Sequence, residues 1–343
     1  MSESRGSIQT VCGPLSPDLL GPTLMHEHVL CDITPPELAA KHLPEVEIRL
    51  DNLFEIRHRW CGHTGHHVLA DRDLAVAELG RLVAAGGSAL VELTCEGIAQ
   101  DPSGLAEIAR RTGLHIIAGT GPYVEAYLDP AQRGRSIDAT RAAMVRCVEE
   151  GFDGTDVRAG ILGEIGLSTP FTDVERRSLV AAAEAQQATG AAINIHPPRS
   201  LTGTLEAIAV LQDATADIGR VIVSHVDRTL VTVDGMRRLA DTGAVLEFDF
   251  FGIESAYYPF ADVDLPNDGQ RVHYIVELVR HGHAAQIVVS HDLCTRTRLR
   301  RFGGHGYGHL LENAVPLMRR RGLSDDDVAQ ILVRTPRRML SFV

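Results

Sequence analysis

A chain of 343 residues with 44% hydrophobic and 23% charged residues has globular proportions and enough apolar material for a large core. Its formal net charge of −12 argues against nucleic acid or an anionic membrane surface as partner, and no apolar run is long enough to span a bilayer. The opening residues, Met1 to Gly6, carry no apolar leader, and the cysteines at 12, 31, 61, 95, 147 and 294 form no CxxC; both features fit a reduced, cytoplasmic protein.

Taken in chain order, the first apolar run, 22–30, predicts a buried strand. Residues 31–70 then break the simple pattern. They hold His42, His58, Cys61, His63, His66 and His67 in a spacing that matches no common zinc motif, and they read as a surface or lid insertion. From there the chain alternates regularly. Helices are expected at 71–85, 102–112, 136–150, 173–189, 203–213, 233–242, 269–282 and 308–321, and strands at 89–94, 115–120, 159–167, 191–197, 221–227, 244–250 and 286–292. Glycines such as Gly113 and Gly190 close helices before the next strand. Ser324-Asp325-Asp326-Asp327 has the signature of a helix start and predicts a closing helix. Eight strands alternating with helices predict one (β/α)₈ TIM-barrel domain over 1–343, with an extended first insertion. A doubly wound open sheet is disfavoured, because no Gly-rich phosphate turn follows the first strand.

His26, His28, Glu164, His196, His225 and Asp292 all fall at the C-terminal ends of these runs. In a barrel such positions converge in space. Side chains alternate along a strand, so His26 and His28 should share a face, with Glu27 turned away. Each residue alone has a plainer reading, such as a packed histidine, a carboxylate paired with Arg, or a helix N-cap. Four imidazoles and two carboxylates together suit a pair of zinc-like divalent ions, with Asp292 placed to accept a water's proton. Two such ions supply a bridging hydroxide and polarise the substrate oxygen. His281-Gly-His283 is read as a chance pair.

At these residues the chain resembles the phosphotriesterase family of the amidohydrolase superfamily, closest to the phosphotriesterase-related branch known from animals. The likeness also runs through Gly163-Glu164-Ile165-Gly166, Ser224-His225-Val226-Asp227-Arg228, the run 247–252, Thr297-Arg298-Leu299 and Gly303-Gly304-His305-Gly306-Tyr307. The resemblance implies that His26, His28 and Asp292 hold the more buried metal, His196 and His225 the more exposed one, and that Glu164 bridges. Many relatives bridge with a carboxylated lysine on strand four; here the only lysine is Lys41, in the insertion. Phe250 stands where phosphotriesterases place a proton-relaying histidine. That departure favours a carbonyl centre over a phosphotriester. The resemblance further implies a small N-acyl amide substrate with an anionic head group, of N-acetyltaurine or N-acyl amino acid type, and a possible homodimer. A lactonase with promiscuous phosphotriesterase activity is the enzymatic alternative, and a non-catalytic binding protein the non-enzymatic one.

Substrate contacts are expected from mouth loops. Arg228, Arg296 and Arg298 can grip an anion, with His305 and Tyr307 in the same strand-eight loop; surface or intersubunit pairs are the alternative for the loop arginines. Tyr123 is placed to orient a substrate oxygen or to pack the mouth. Glu92 and Asp249 either orient ligand imidazoles or form structural bonds to Arg. Cys294 is read as pocket wall.

Overall fold

The computed structural model describes residues 6–58, 62–258 and 260–343; Cys61 and the first five residues, read above for zinc spacing and for a leader, lie outside them. Eight parallel strands form one sheet in chain order: β1 (Thr23–Glu27), β2 (Ala89–Glu92), β3 (His115–Thr120), β4 (Ile161–Gly166), β5 (Ile193–His196), β6 (Val221–Val223), β7 (Val245–Phe248) and β8 (Ile287–Val289). The sheet curls into a barrel. Its seam is sewn next to the ligand positions, where the Asp292 N–H donates to the His26 carbonyl (3.0 Å) and the His26 N–H to Ser290 Oγ (2.9 Å).

Outer helices follow the expected order: α1 (Arg72–Ala84), α2 (Pro102–Thr112), α3 (Ile137–Glu149), α4 (Asp173–Thr189), α5 (Leu201–Asp213), α6 (Val233–Ala240), α7 (Asp268–Arg280) and α8 (Val315–Arg320), the last preceded by a wider turn at Leu310–Ala314. Their starts are chemically marked. Asp71, Asp101, Ser136, Thr172, Ser200, Thr232 and Asn267 each accept a hydrogen bond from the first turn of the helix they cap. Gly113 and Gly190 end α2 and α4 in the left-handed conformation, with φ of 75° and 74°. Among the described residues no helix is long and apolar enough to cross a membrane.

The core has two large parts and a small apolar cluster of Phe250, Tyr258 and Leu265. Met25, Val91, Ile117, Ile161, Ala192, Ile222, Val245 and Val288 fill the lower barrel, plugged from below by Ile8 and Leu15 of an N-terminal hairpin and by Met339 and Leu340 of the closing helix. A larger apolar layer joins the strands to the helices. The insertion leaves and rejoins the barrel through a short antiparallel ladder, Cys31–Asp32 on Val68–Leu69. It packs on the loop after β8: the Arg296 N–H donates to the His66 carbonyl (2.8 Å) and Arg57 donates to the Thr297 carbonyl (2.9 Å).

Alternation breaks in two strands. The register of β1 on β2 shifts between Leu24 and Glu27, and that of β4 on β5 between Leu162 and Ile165. Such bulges re-aim side chains at active sites. Here Met25 in the barrel interior is followed directly by His26, and Glu164 turns inward beside the apolar Ile165. Gly163, at φ 130°, makes the second shift possible, because a Cβ there would meet the Asn194 carbonyl oxygen at 2.2 Å.

Candidate metal centre

The six expected ligands converge at the C-terminal mouth of the barrel. Glu164 stands at the middle. Its Oε1 lies 3.4 Å from His26 Nε2 and 3.5 Å from His28 Nε2, and its Oε2 lies 2.9 Å from His196 Nδ1 and 3.4 Å from His225 Nε2. Asp292 Oδ1 is 3.3 Å from His28 Nε2 and 3.8 Å from His26 Nε2. The donors therefore fall into two groups that share one carboxylate: His26, His28 and Glu164 beside Asp292, and Glu164, His196 and His225. His225 and Asp292 both adopt left-handed backbone, φ 54° and 48°, just past their strands. That conformation is costly away from glycine and clusters at functional sites.

These donors fit a pair of divalent cations. His26 Nε2 is fully buried and has no hydrogen-bond partner. The field also asks for positive charge. Burial alone would lower His28, yet hydrogen bonds to Asp292 and Glu164 carry it up to about 9. His196 goes the other way, pushed down to about 3 by burial against the pull of Glu164, with His225 and Arg228 adding to the depression, so its ring stays neutral. Glu164 is buried, yet His26 and His196 hold it well below the usual carboxylate range.

Behind the donors stands a ring of buried partners that fixes each imidazole. Asp249 accepts from His225 Nδ1 (3.0 Å) and lies 3.1 Å from His26 Nδ1. It touches the ring edges that face away from Glu164, the position of a group that orients imidazoles, although it also makes a third cluster of candidate donors with His26 and His225. His28 Nδ1 meets Thr94 Oγ1 (2.9 Å), which donates to Glu92 Oε1 (2.6 Å). The bonds of Glu92 thus run to Thr94 and the Val29 N–H, not to an arginine.

Glu27 does more than point away from the mouth. Its carboxylate accepts from Ser290 Oγ (2.8 Å), the His291 N–H (3.0 Å) and the Leu293 N–H (3.1 Å), and pairs with His291 Nδ1 (2.6 Å). It pins the chain on both sides of Asp292. Its signal in the sequence was its place between two histidines in a strand buried on both faces, where a carboxylate needs donors. Arg271 was legible in no motif. It is fully buried, pairs with Asp227 (2.8 Å) and Asp268 (2.9 Å), and so braces the chain at Phe250, whose N–H donates to Asp227 (3.0 Å).

Above the centre opens a cavity of about 150 Å³, lined by His28, Tyr123, His196, Arg228, Phe250 and Cys294 among others. Arg228 is buried and its Nη2 donates to His196 Nε2 (3.0 Å). Tyr123 OH is 3.5 Å from His196 Nδ1. The other four expected substrate contacts sit elsewhere. Tyr307 is buried and donates to the His28 carbonyl (2.7 Å). Arg298 donates to the Asp292 carbonyl and stacks near the Phe250 ring (5.8 Å). Arg296 pairs with Glu45 of the insertion, and His305 lies against the His291 ring (5.3 Å). These four side chains support the walls and do not line the cavity. His66 and His67 of the insertion lie with rings 3.9 Å apart, and His67 reaches the cavity.

The model of the phosphotriesterase family matches residues 6–340. The chain belongs to that family. Among its relatives, an N-acetyltaurine hydrolase of Tetraodon nigroviridis is 40% identical over 350 residues, and the one of Homo sapiens is 38% identical over 348; each match covers 100% of both chains. Among solved structures of this phosphotriesterase-like shape, a resiniferatoxin-binding protein of Rhodobacter sphaeroides superposes with a TM-score of 0.91 at 33% identity, covering 99% of this chain and 97% of that one.

A titration follows from the electrostatics. Metal binding needs neutral imidazole, and in the metal-free protein His28 holds its proton up to about pH 9. Its folded value lies above the ordinary 6.5, so the proton stabilises the metal-free fold below that value, and this contribution is lost as pH rises through about 9. Zinc affinity is therefore expected to rise with pH across the same window, with protons released on binding. Calorimetry in buffers of different ionisation enthalpy measures both; an affinity flat in pH contradicts the protonated state of His28.

Proposed function

We propose that this protein is a metal-dependent hydrolase that cleaves the amide of a small N-acyl compound bearing an anionic head group, with N-acetyltaurine the first substrate to test and N-acyl amino acids next. The observation that carries the reading is the cavity: about 150 Å³, floored by the two donor groups and walled by a buried arginine. That volume is below the range of drug-sized ligand sites and suits a short acyl chain. Arg228 has no carboxylate within ion-pair distance among the described residues, so its charge is available to an anion. The substrate named for the relatives, matched over their full length, has this chemistry.

His26, His28 and Asp292 would hold one divalent ion, His196 and His225 the other, and Glu164 would touch both; zinc suits the nitrogen-rich set. Two bound metals would supply an activated water and a Lewis acid for the carbonyl. The chain's own groups do the rest. Burial would push Asp292 up, but His28, His225 and His26 hold it below the usual carboxylate range, so it is ionised and ready to take the attacking water's proton. Phe250, not a histidine, follows β7 at the mouth, and Asp292 itself delivers that proton to the leaving amine. Tyr123, kept protonated by burial, offers an O–H to the substrate oxygen, and Arg228 opposes the negative charge that develops beside His196.

The test is turnover by zinc-loaded protein on a paired panel: N-acetyl amides of taurine and amino acids beside γ- and δ-lactones. Amide cleavage that disappears on metal removal is the expected result. Lactone opening with inert amides would replace this reading with a lactonase. Ligand binding at negligible metal content would make the protein a binding module.

A further inference from the structure

We propose that Arg199, at the rim of the cavity, reads the anionic end of the substrate and sets head-group specificity; this rests on the amide-hydrolase reading above. Two cations line the cavity. Arg228 lies deep in the cavity, against His196. Arg199 lies three residues beyond His196 on the exit of β5 and is half-buried.

Its side chain is held in place. The backbone N–H donates to Thr169 Oγ1 (2.8 Å), Nε donates to Tyr258 OH (3.1 Å), and the guanidinium carbon stands 5.2 Å from the centre of the Phe260 ring. These contacts use Nε and one face of the guanidinium and leave both terminal nitrogens, the fork that matches a carboxylate or sulfonate. Other half-exposed arginines of this acidic chain spend that fork on carboxylates: Arg72 on Asp101 and Glu107, Arg111 on Asp73 and Glu107, and Arg135 on Glu96. Arg199 has no carboxylate within ion-pair distance among the described residues. A braced, unneutralised fork in a cavity wall loses little freedom when an anion binds. An amide whose carbonyl sits on the donor floor sends its amine substituent toward the rim, and an acid at the end of that substituent meets Arg199.

The experiment uses the metal-loaded enzyme and two matched amides, N-acetyltaurine and the uncharged N-ethylacetamide, with propane-1-sulfonate as a non-reacting probe of the anion site. Arg199→Gln is expected to lower kcat/KM for N-acetyltaurine about 10- to 100-fold, mostly through KM, the factor carried by one charge-assisted hydrogen bond. N-ethylacetamide turnover stays unchanged, and propane-1-sulfonate binding by calorimetry weakens by a similar factor. Arg199→Lys recovers part of the loss, and Tyr258→Phe gives a smaller loss in the same direction. Equal losses on both amides would make Arg199 a structural brace and overturn the proposal, as would sulfonate binding that the substitution leaves unchanged. If the wild type cleaves neither amide, the hydrolase reading fails on its own, and the sulfonate titration still decides whether Arg199 holds an anion.

Discussion

Asp292→Asn is expected to lower amide turnover by about four orders of magnitude while the barrel stays folded, the scale of loss seen when one member of a catalytic unit is removed. The side chain is nearly isosteric, and the backbone that carries it is set by other groups: the Asp292 N–H on the His26 carbonyl, Glu27 on both flanks, and Arg298 on the Asp292 carbonyl. What the substitution removes is the proton acceptor and one anionic donor 3.3 Å from His28. The variant should therefore still fold in the metal-free form, losing only the stability that the Asp292 carboxylate gives protonated His28, and turnover should fall further than metal content does. Near-normal turnover at full metal loading would end the role of Asp292 as proton carrier. A loss that tracks metal content one for one would leave it a ligand only.

The second large effect is on metal stoichiometry. Glu164 reaches the donors of both groups with its two oxygens, Oε1 within 3.5 Å of His26 and His28 Nε2 and Oε2 within 3.5 Å of His196 Nδ1 and His225 Nε2. Glu164→Gln keeps the length and removes the charge. Two cations a few ångströms apart repel strongly without a shared anion, so the variant should bind one ion per chain or fewer. Turnover should fall at least about 10³-fold, since the chemistry belongs to the unit. Elemental analysis after dialysis, with calorimetric titration, reads the stoichiometry directly. Retention of two tightly held ions in Glu164→Gln would sink the bridging role.

The ligand types were legible because chemistry and period coincide. Histidines and carboxylates at the ends of apolar runs are costly unless something binds them, and eight runs alternating with helices put those ends in one place. The walls were less legible. Arg296, Arg298, His305 and Tyr307 form a basic, Gly-rich stretch that reads as a substrate loop, yet each is spent on wall contacts, with Glu45, the Asp292 carbonyl, the neighbourhood of His291 and the His28 carbonyl. Loop charge says where a residue is, not which way its side chain turns. Arg199 was missed because it follows two prolines in an ordinary turn and forms no motif, and Glu27 was read only as turned away from the mouth, although its place between two histidines of a buried strand called for donors.

By itself the sequence determined the order of eight strands and helices, the capping that delimits those helices, and the six metal-type ligands, because these follow from residue type and from periods of 2 and 3.6 along the chain. Only the tertiary structure decided how the candidate ligands divide around Glu164, which carboxylate stands behind which imidazole, and which cavity arginines have no carboxylate partner among the described residues. Those outcomes depend on register shifts in β1 and β4, on left-handed turns at His225 and Asp292, and on hydrogen bonds between distant residues, such as Glu27 with Leu293, 266 positions apart. No local pattern encodes them, because they are set by which strand ends meet when the barrel closes.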